Sequence, residues 1–145
     1  MSTITVKPVE SRREKKQFIN LANEIYAGDE MWCPPLLIDL KERAGFSKHP
    51  FHDINETQTF IALRDEKVVG RIQAIVNRGH IERYDEQLGF FGLFESIDDQ
   101  EVANTLFDTV RDWLAERNIH HMRGPVNPGL NYEVGLLIDG WHSPP

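Results

Sequence analysis

The side chains best suited to move a proton or hold a developing charge fall in two places in this sequence. Glu95 follows the apolar run from Leu88 to Phe94, and the segment "NPGLNYEVG" gathers Asn127, Asn131, Tyr132 and Glu133. Carboxylates, a phenol and carboxamides supply bases, acids and hydrogen-bond donors, the parts needed for proton transfer and for stabilising an oxyanion. Asparagine before proline and near glycine also makes ordinary turns, so each residue of the second group has a structural reading beside the chemical one.

Other chemistry-bearing residues are weaker candidates. His49, His52 and Asp53 in "KHPFHD" lie close together, but Pro50 intervenes and no second ligand group sits at a usual metal spacing. His120 and His121 adjoin on a strand-like stretch and would point to opposite faces, so one ion cannot take both. No metal site is expected. Cys33 is the only cysteine, so it forms no internal disulfide, fits a reducing compartment and reads as a small apolar packing residue.

The elements that must position these groups follow from periodicity. Ile4 and Val6 alternate with polar residues as in a half-buried strand that Pro8 limits. Ser11 and Glu14 form a capping box, and Phe18, Leu21, Ala22, Ile25 and Tyr26 then share a helical face until Gly28. A second helix is predicted with Pro34 or Pro35 in its first turn and Leu36, Leu37, Leu40 and Ala44 as its stripe, followed by a loop "FSKHPFHDINE". Thr59 to Arg64 and Val68 to Asn77 read as an antiparallel hairpin turned by "RDEK". After a polar loop around "RGHIERYDEQ", Leu88 to Phe94 is apolar on both faces, as in a central strand. Asp98 with Glu101 predicts a capping box for a helix lined by Val102, Ala103, Leu106, Phe107, Val110, Trp113 and Leu114 and ending near Asn118. "HHMRGPVNP" reads as a fifth strand broken by Gly124 and Pro125, and "VGLLID" as a sixth.

The order β-α-α-β-β-β-α-β-β implies an α/β (α+β) fold: a mixed sheet with helices on both faces, its fourth and fifth strands parallel and joined by a right-handed helical crossover. The 145 residues suit one domain over 1–145. The apolar end "GLLIDGWHSPP" is unlike a usual polar tail and is expected to belong to a longer chain. Sixteen Lys and Arg against 23 Asp and Glu give a net charge of −7, which offers no general attraction to nucleic acid or an anionic membrane. No stretch approaches the ~20 apolar residues of a membrane span, and a cytoplasmic location is expected.

The succession of elements resembles the GNAT acyltransferase superfamily. The phrases "MWCPPLLIDLK", "VVGRIQAIVNRGH", "GFFGLFESIDDQEVANTLFDTVRDWLAERNI" and "RGPVNPGLNYEVGLLIDGWHSPP" resemble the first half of a group of longer bacterial GNAT-like proteins. The last phrase is the most specific of these, and together they cover nearly the whole chain. The resemblance implies a sheet that opens between strands four and five to admit the pantetheine arm of acetyl-CoA or another acyl-CoA. It places Phe91, Gly92 and Leu93 along that arm; Arg123 and Asn127, in the strand-five segment, are further cofactor-binding candidates. It makes Glu95, at the end of strand four, the candidate base, with burial beside Phe90, Phe91 and Phe94 raising its pKa, while the structural alternative counts Glu95 with the acidic start of the following helix. Tyr132 becomes a candidate acid, and Asn131 and Glu133 join it at the catalytic mouth.

One part of the superfamily pattern is missing. Its pyrophosphate loop carries glycines that expose backbone N–H groups at a helix start. Here the corresponding residues are Glu95-Ser96-Ile97-Asp98-Asp99-Gln100, without glycine. A helix end carries only about +0.5 of a charge, which Asp98, Asp99 and Glu101 exceed. Those acids read as helix caps, and Arg78, His80, Arg83 and Arg123 remain as an alternative basic spot for a CoA phosphate, or as surface balance. Two functions follow: an acyl-CoA-dependent N-acyltransferase acting on a small-molecule amine, or a GNAT-fold module without catalysis. A homodimer or pairing with a further C-terminal half is the partner expectation.

Overall fold

The computed structural model of the protein describes residues 3–143. Strand β1 (Ile4–Pro8) leads to helix α1 (Arg12–Ile25), which begins with the expected capping box: Ser11 Oγ accepts from the Glu14 amide at 3.1 Å while the Glu14 carboxylate accepts from the Ser11 amide at 2.8 Å. Helix α2 (Leu37–Arg43) starts later than its sequence suggests, with Leu36 as its N-cap. Pro34 and Pro35 therefore precede it. Leu40 and Ala44 are buried, but Leu36 is 74% and Leu37 54% exposed, so the expected four-residue stripe is halved. A helix of two turns presents only one buried row.

Two short helices lie where loops were expected, α3 (Phe51–Ile54) and α4 (Arg78–Tyr84). Neither carries an apolar stripe long enough to register as periodic. Asn77 caps α4 by accepting from the His80 amide at 3.0 Å, and Asp85 closes it in the left-handed region. Strands β2 (Glu56–Arg64) and β3 (Lys67–Val76) form the predicted hairpin. Asp65 and Glu66 both have positive φ, the tight turn that matches strand twist.

Strand β4 (Gly89–Ser96) runs into helix α5 (Gln100–Ala115). The N-cap of α5 is Asp99, one residue after the expected Asp98; it accepts from the Glu101 amide at 2.9 Å. Beyond α5 lie β5 (Met122–Arg123), β6 (Val126–Asn127) and β7 (Glu133–Val134). The predicted sixth strand over "VGLLID" is reduced to the first of these residues. Residues 136–138 form no strand and are exposed.

The sheet order is β1-β2-β3-β4-β5, antiparallel except for the parallel β4–β5 contact, with β6 and β7 as a separate ribbon. Helices cover both faces. Against α5, Val102, Leu106, Val110 and Leu114 meet Phe60, Ala62, Ile72, Ala74 and Val76. On the other face Phe18 and Leu21 of α1 and Leu40 of α2 meet Ile61, Val68 and Leu93. A third cluster joins Phe51, Ile75, Leu88, Phe90 and Val126. Among the described residues no helix is long and apolar enough to cross a membrane.

Candidate functional site at the parting of two parallel strands

Strands β4 and β5 pair over only two residue couples, Gly89 with Met122 and Phe90 with Arg123. The ladder then ends, so main-chain groups farther along β4 lose their β5 strand partners just where β4 bulges. On the β3 side, Gln73 pairs with Gly92 but Arg71 pairs with Glu95, leaving two residues of β4, Leu93 and Phe94, opposite one residue of β3. Leu93 adopts φ 49°, a left-handed conformation that costs a branched residue of order 1–3 kcal/mol and that surrounding contacts must hold.

Those contacts are specific. Buried Arg71, 4% exposed, donates from Nε to the Leu93 carbonyl at 2.9 Å and from Nη1 to the Phe18 carbonyl at 2.8 Å. Its guanidinium lies 5.0 Å from the Phe18 ring centroid. On the other side the Leu93 amide donates to Asn127 Oδ1 at 2.6 Å. The β6 segment is pressed against β4 to deliver this contact: a Cβ on Gly92 would sit 1.8 Å from the Val126 carbonyl oxygen, so no other residue fits without moving the chain.

Glu95 lies two residues beyond the bulge, beside Arg71 in the register. Its surroundings are polar, in contrast to the aromatic setting its sequence neighbours suggest. The Tyr26 hydroxyl donates to Glu95 Oε2 at 2.6 Å, and the Tyr26 ring packs on Trp32 with centroids 4.7 Å apart. Burial, reinforced by the hydrogen bond to Glu95 and by its charge, holds the Tyr26 hydroxyl well above its ordinary range, so it stays protonated as a donor. Burial also pulls the Arg71 guanidinium below its ordinary value, an effect that Glu95 and Tyr26 partly offset.

Glu133 joins the same site through Asn127. Asn127 Nδ2 donates to Glu133 Oε2 at 2.6 Å, and Arg43 Nη1 donates to the same oxygen at 3.0 Å. Arg43 is held in turn by Asp39 at 2.8 Å. These groups border a cleft of about 680 Å³ whose walls include Leu93, Phe94, Glu95, Asn127 and Glu133 together with Tyr26, Trp32 and Arg71.

The remaining sequence candidates lie elsewhere. Phe91 packs edge-on against Phe107 of α5 at 5.0 Å, and Arg123 and Asn131 are exposed. Tyr132 packs against His49 and Phe51, at 5.6 and 6.0 Å, away from the residues that line the cleft. At the start of α5, Asp99 pairs with Arg64 at 2.8 Å. Arg78 and His80 of the suggested basic spot each face a carboxylate, Glu56 at 3.8 Å and Glu86 at 3.0 Å. Cys33, expected inside, is exposed and borders the cleft. Among the described residues no group of three or more His, Cys, Asp or Glu could hold a metal ion.

Sequence reasoning missed Tyr26, Arg71 and Arg43. Tyr26 appeared only as the last residue of a helix stripe. Arg71 and Gln73 had a readable signal: two long polar side chains inside the apolar run "VVGRIQAIV" are the kind of buried polar feature that carries information.

No family model matches the chain. It is 37% identical over 143 residues to a bacterial ceramide synthase of Caulobacter vibrioides, covering 98% of this chain and 37% of that protein. It is 35% identical over 135 residues to protein YghO of Escherichia coli K12, covering 93% of this chain and 34% of that protein. The chain thus spans about a third of the length of the curated relatives it matches. Among solved structures, a GNAT-family acetyltransferase of Staphylococcus aureus superposes with TM-score 0.59 at 18% identity, over 86% of this chain and 74% of that one. An aminoglycoside N-acetyltransferase in complex with CoA superposes with TM-score 0.60 at 15% identity, over 88% and 80%. With its sheet parted between β4 and β5 and helices on both faces, the chain has the fold of the GNAT superfamily.

Proposed function

We propose that the cleft binds an acyl-CoA and that the acyl group passes to an amine. The observation that carries this reading is the ending of the β4–β5 ladder after two couples, which turns the β4 bulge and Glu95 toward a cleft. The CoA-bound structural neighbour supports the co-substrate. In this reading Glu95 takes a proton from the ammonium and passes it to solvent, and the freed nitrogen attacks the thioester carbonyl. The Leu93 amide, which donates to Asn127 Oδ1 in the structure, is the donor that would turn to the oxygen that gains charge and stabilise it. As the C–S bond breaks, the second proton leaves the attacking nitrogen for the departing thiolate. The products are an amide, the CoA thiol and one proton. Tyr26 orients Glu95 throughout.

The residues fit the pantetheine end of an acyl-CoA better than its phosphates. The start of α5 has no glycine and is occupied by the Asp99–Arg64 pair, so the diphosphate must be held elsewhere. That same observation favours the second reading, a GNAT-fold module without catalysis.

For the acceptor we propose a long-chain amine. One relative is named a ceramide synthase, and a ceramide is an amide between a fatty acid and a long-chain amino alcohol. Met31, Trp32, Leu136, Leu137 and Trp141 give this cleft an apolar wall of the matching kind. The exposure of Leu136, Leu137 and Trp141 supports a partner at this rim, either further chain or a second copy.

Heat denaturation with acetyl-CoA and with hexadecanoyl-CoA tests the reading. A ligand at about 100 times its dissociation constant adds about 2.7 kcal/mol of stability. A stabilising shift, followed by thiol release on adding a long-chain amino alcohol, is the expected result. Stabilisation without thiol release for any amine supports the module, and no shift with either thioester rejects both forms of CoA binding.

A further inference from the structure

The Leu93 amide, the donor assigned to the acyl carbonyl, is already engaged by the Asn127 carboxamide at 2.6 Å. A carboxamide oxygen and a thioester oxygen are both carbonyl acceptors, so they compete for the same N–H. Asn127 is held in place by Glu133, and Glu133 by Arg43. With side-chain exposures of 24% for Arg43 and 59% for Glu133, this ion pair belongs to the weak, solvent-screened class.

A second observation lies beneath it. Arg43 Nε and Gln73 Oε1 are buried with no hydrogen-bond partner among the described residues, one a donor and the other an acceptor. Their residues are already joined, because Gln73 Nε2 donates to the Arg43 carbonyl at 3.0 Å. Two unpaired buried groups are a standing cost of the observed arrangement. If Arg43 lets go of Glu133, Asp39 still holds its Nη2 at 2.8 Å, and the guanidinium can pivot about that contact to bring Nε toward Gln73 Oε1.

We infer that Arg43, Glu133 and Asn127 form a latch whose carboxamide sits in the acyl carbonyl's place, and that thioester entry exchanges the Arg43–Glu133 pair for an Arg43–Gln73 contact. The inference rests on the acyl-CoA reading of the cleft. Asn127 is then a positioning residue for the oxyanion donor, and Arg43 and Gln73 set the balance between latched and open states. A ligand that requires the open state binds more weakly by the fraction of molecules that are open.

The latch predicts effects of opposite sign. Isothermal titration with acetyl-CoA and hexadecanoyl-CoA is compared among the wild type, Glu133→Ala and Gln73→Met, with the melting temperature of each recorded. Glu133→Ala releases Asn127 and is expected to tighten binding about two- to fivefold, the worth of an exposed pair. Gln73→Met removes the group that rewards opening and is expected to weaken binding by a similar factor. A purely structural role for Glu133 would lower its melting temperature and leave affinity unchanged or poorer, which overturns the latch while leaving the acyl-CoA reading intact. Equal affinity of Gln73→Met and the wild type, with both folded, overturns the Gln73 exchange. Absence of binding in all three proteins overturns the acyl-CoA reading and the latch with it.

Discussion

The two faces of the central sheet are built from alternate residues of the same strands, yet they differ in kind. On the α5 face Val102, Leu106, Val110 and Leu114 are 0 to 1% exposed and pack into an apolar cluster. On the α1 and α2 face Phe18, Leu21 and Ile61 pack just as tightly, but Arg71 and Gln73 are buried among them and two polar atoms lack partners. An all-apolar contact returns the full benefit of burial, whereas a buried cation and an unpaired amide oxygen subtract from it. The first face holds the molecule together. The second gives up stability to fix the β4 bulge and the carboxylate beside it.

The contrast can be broken in order of effect. If the site lies on the Arg71 face, Glu95→Gln should lower amide formation by about 10²- to 10⁴-fold, the usual worth of a general base, with little change in melting temperature. A rate within a few fold of the wild type would remove Glu95 from the chemistry. On the opposite face, Leu106→Ala should cost about 2–5 kcal/mol in urea unfolding, while the folded fraction retains wild-type affinity for acyl-CoA. Affinity falling in step with stability would mean the two faces are not separable.

Arg71→Met sharpens the comparison because it mixes both currencies. It leaves the Leu93 and Phe18 carbonyls without their donor, at about 1–3 kcal/mol for an unpaired buried group, but removes a desolvated charge that partly offsets the loss. A small fall in stability with a large fall in turnover is expected, and the reverse would make Arg71 a structural residue only.

The smallest effect concerns the start of α5. The hydrogen bond from Arg64 holds the Asp99 carboxyl below its ordinary range, which is about 3.9 in unfolded chains. A lowered folded-state value means its stabilisation is present above that pH and lost as pH falls through the folded value. Melting temperatures of the wild type and Asp99→Asn should therefore differ slightly at neutral pH and converge in acid. A gap that persists unchanged into strong acid would show that the Asp99 charge plays no part.

Much of the scaffold was legible because it obeys simple periods. The capping box at Ser11, the stripe of α1, the hairpin of β2 and β3 and the apolar face of α5 are all patterns of residues near one another in the chain, and physics local to those residues produces them. The short helices α3 and α4 escaped because one or two turns leave no periodic trace. The predicted sixth strand failed because an apolar run specifies a strand only when a partner covers it, and Leu136, Leu137 and Ile138 are uncovered here.

The site divides in the same way. Glu95 at the end of a buried strand was visible as a type of residue in a type of place, and so was the cluster from Asn127 to Glu133. Which members meet could not be read, because Glu133 reaches Arg43 across 90 positions and Tyr26 reaches Glu95 across 69. Within the cluster itself, a turn sends Tyr132 toward His49 and Phe51 while Glu133 faces the cleft.

By itself, then, the sequence determined the longer elements, from β1 and α1 through the β2–β3 hairpin to β4 and α5, and the parallel crossover through α5, since these depend on residue spacing along the chain. Only the tertiary structure decided that β4 and β5 part after two couples, that Arg71 and Gln73 lie under helices, and that Asn127 occupies the Leu93 amide. Those facts depend on which distant surfaces exclude water from one another, a property of the packed chain that no local pattern records.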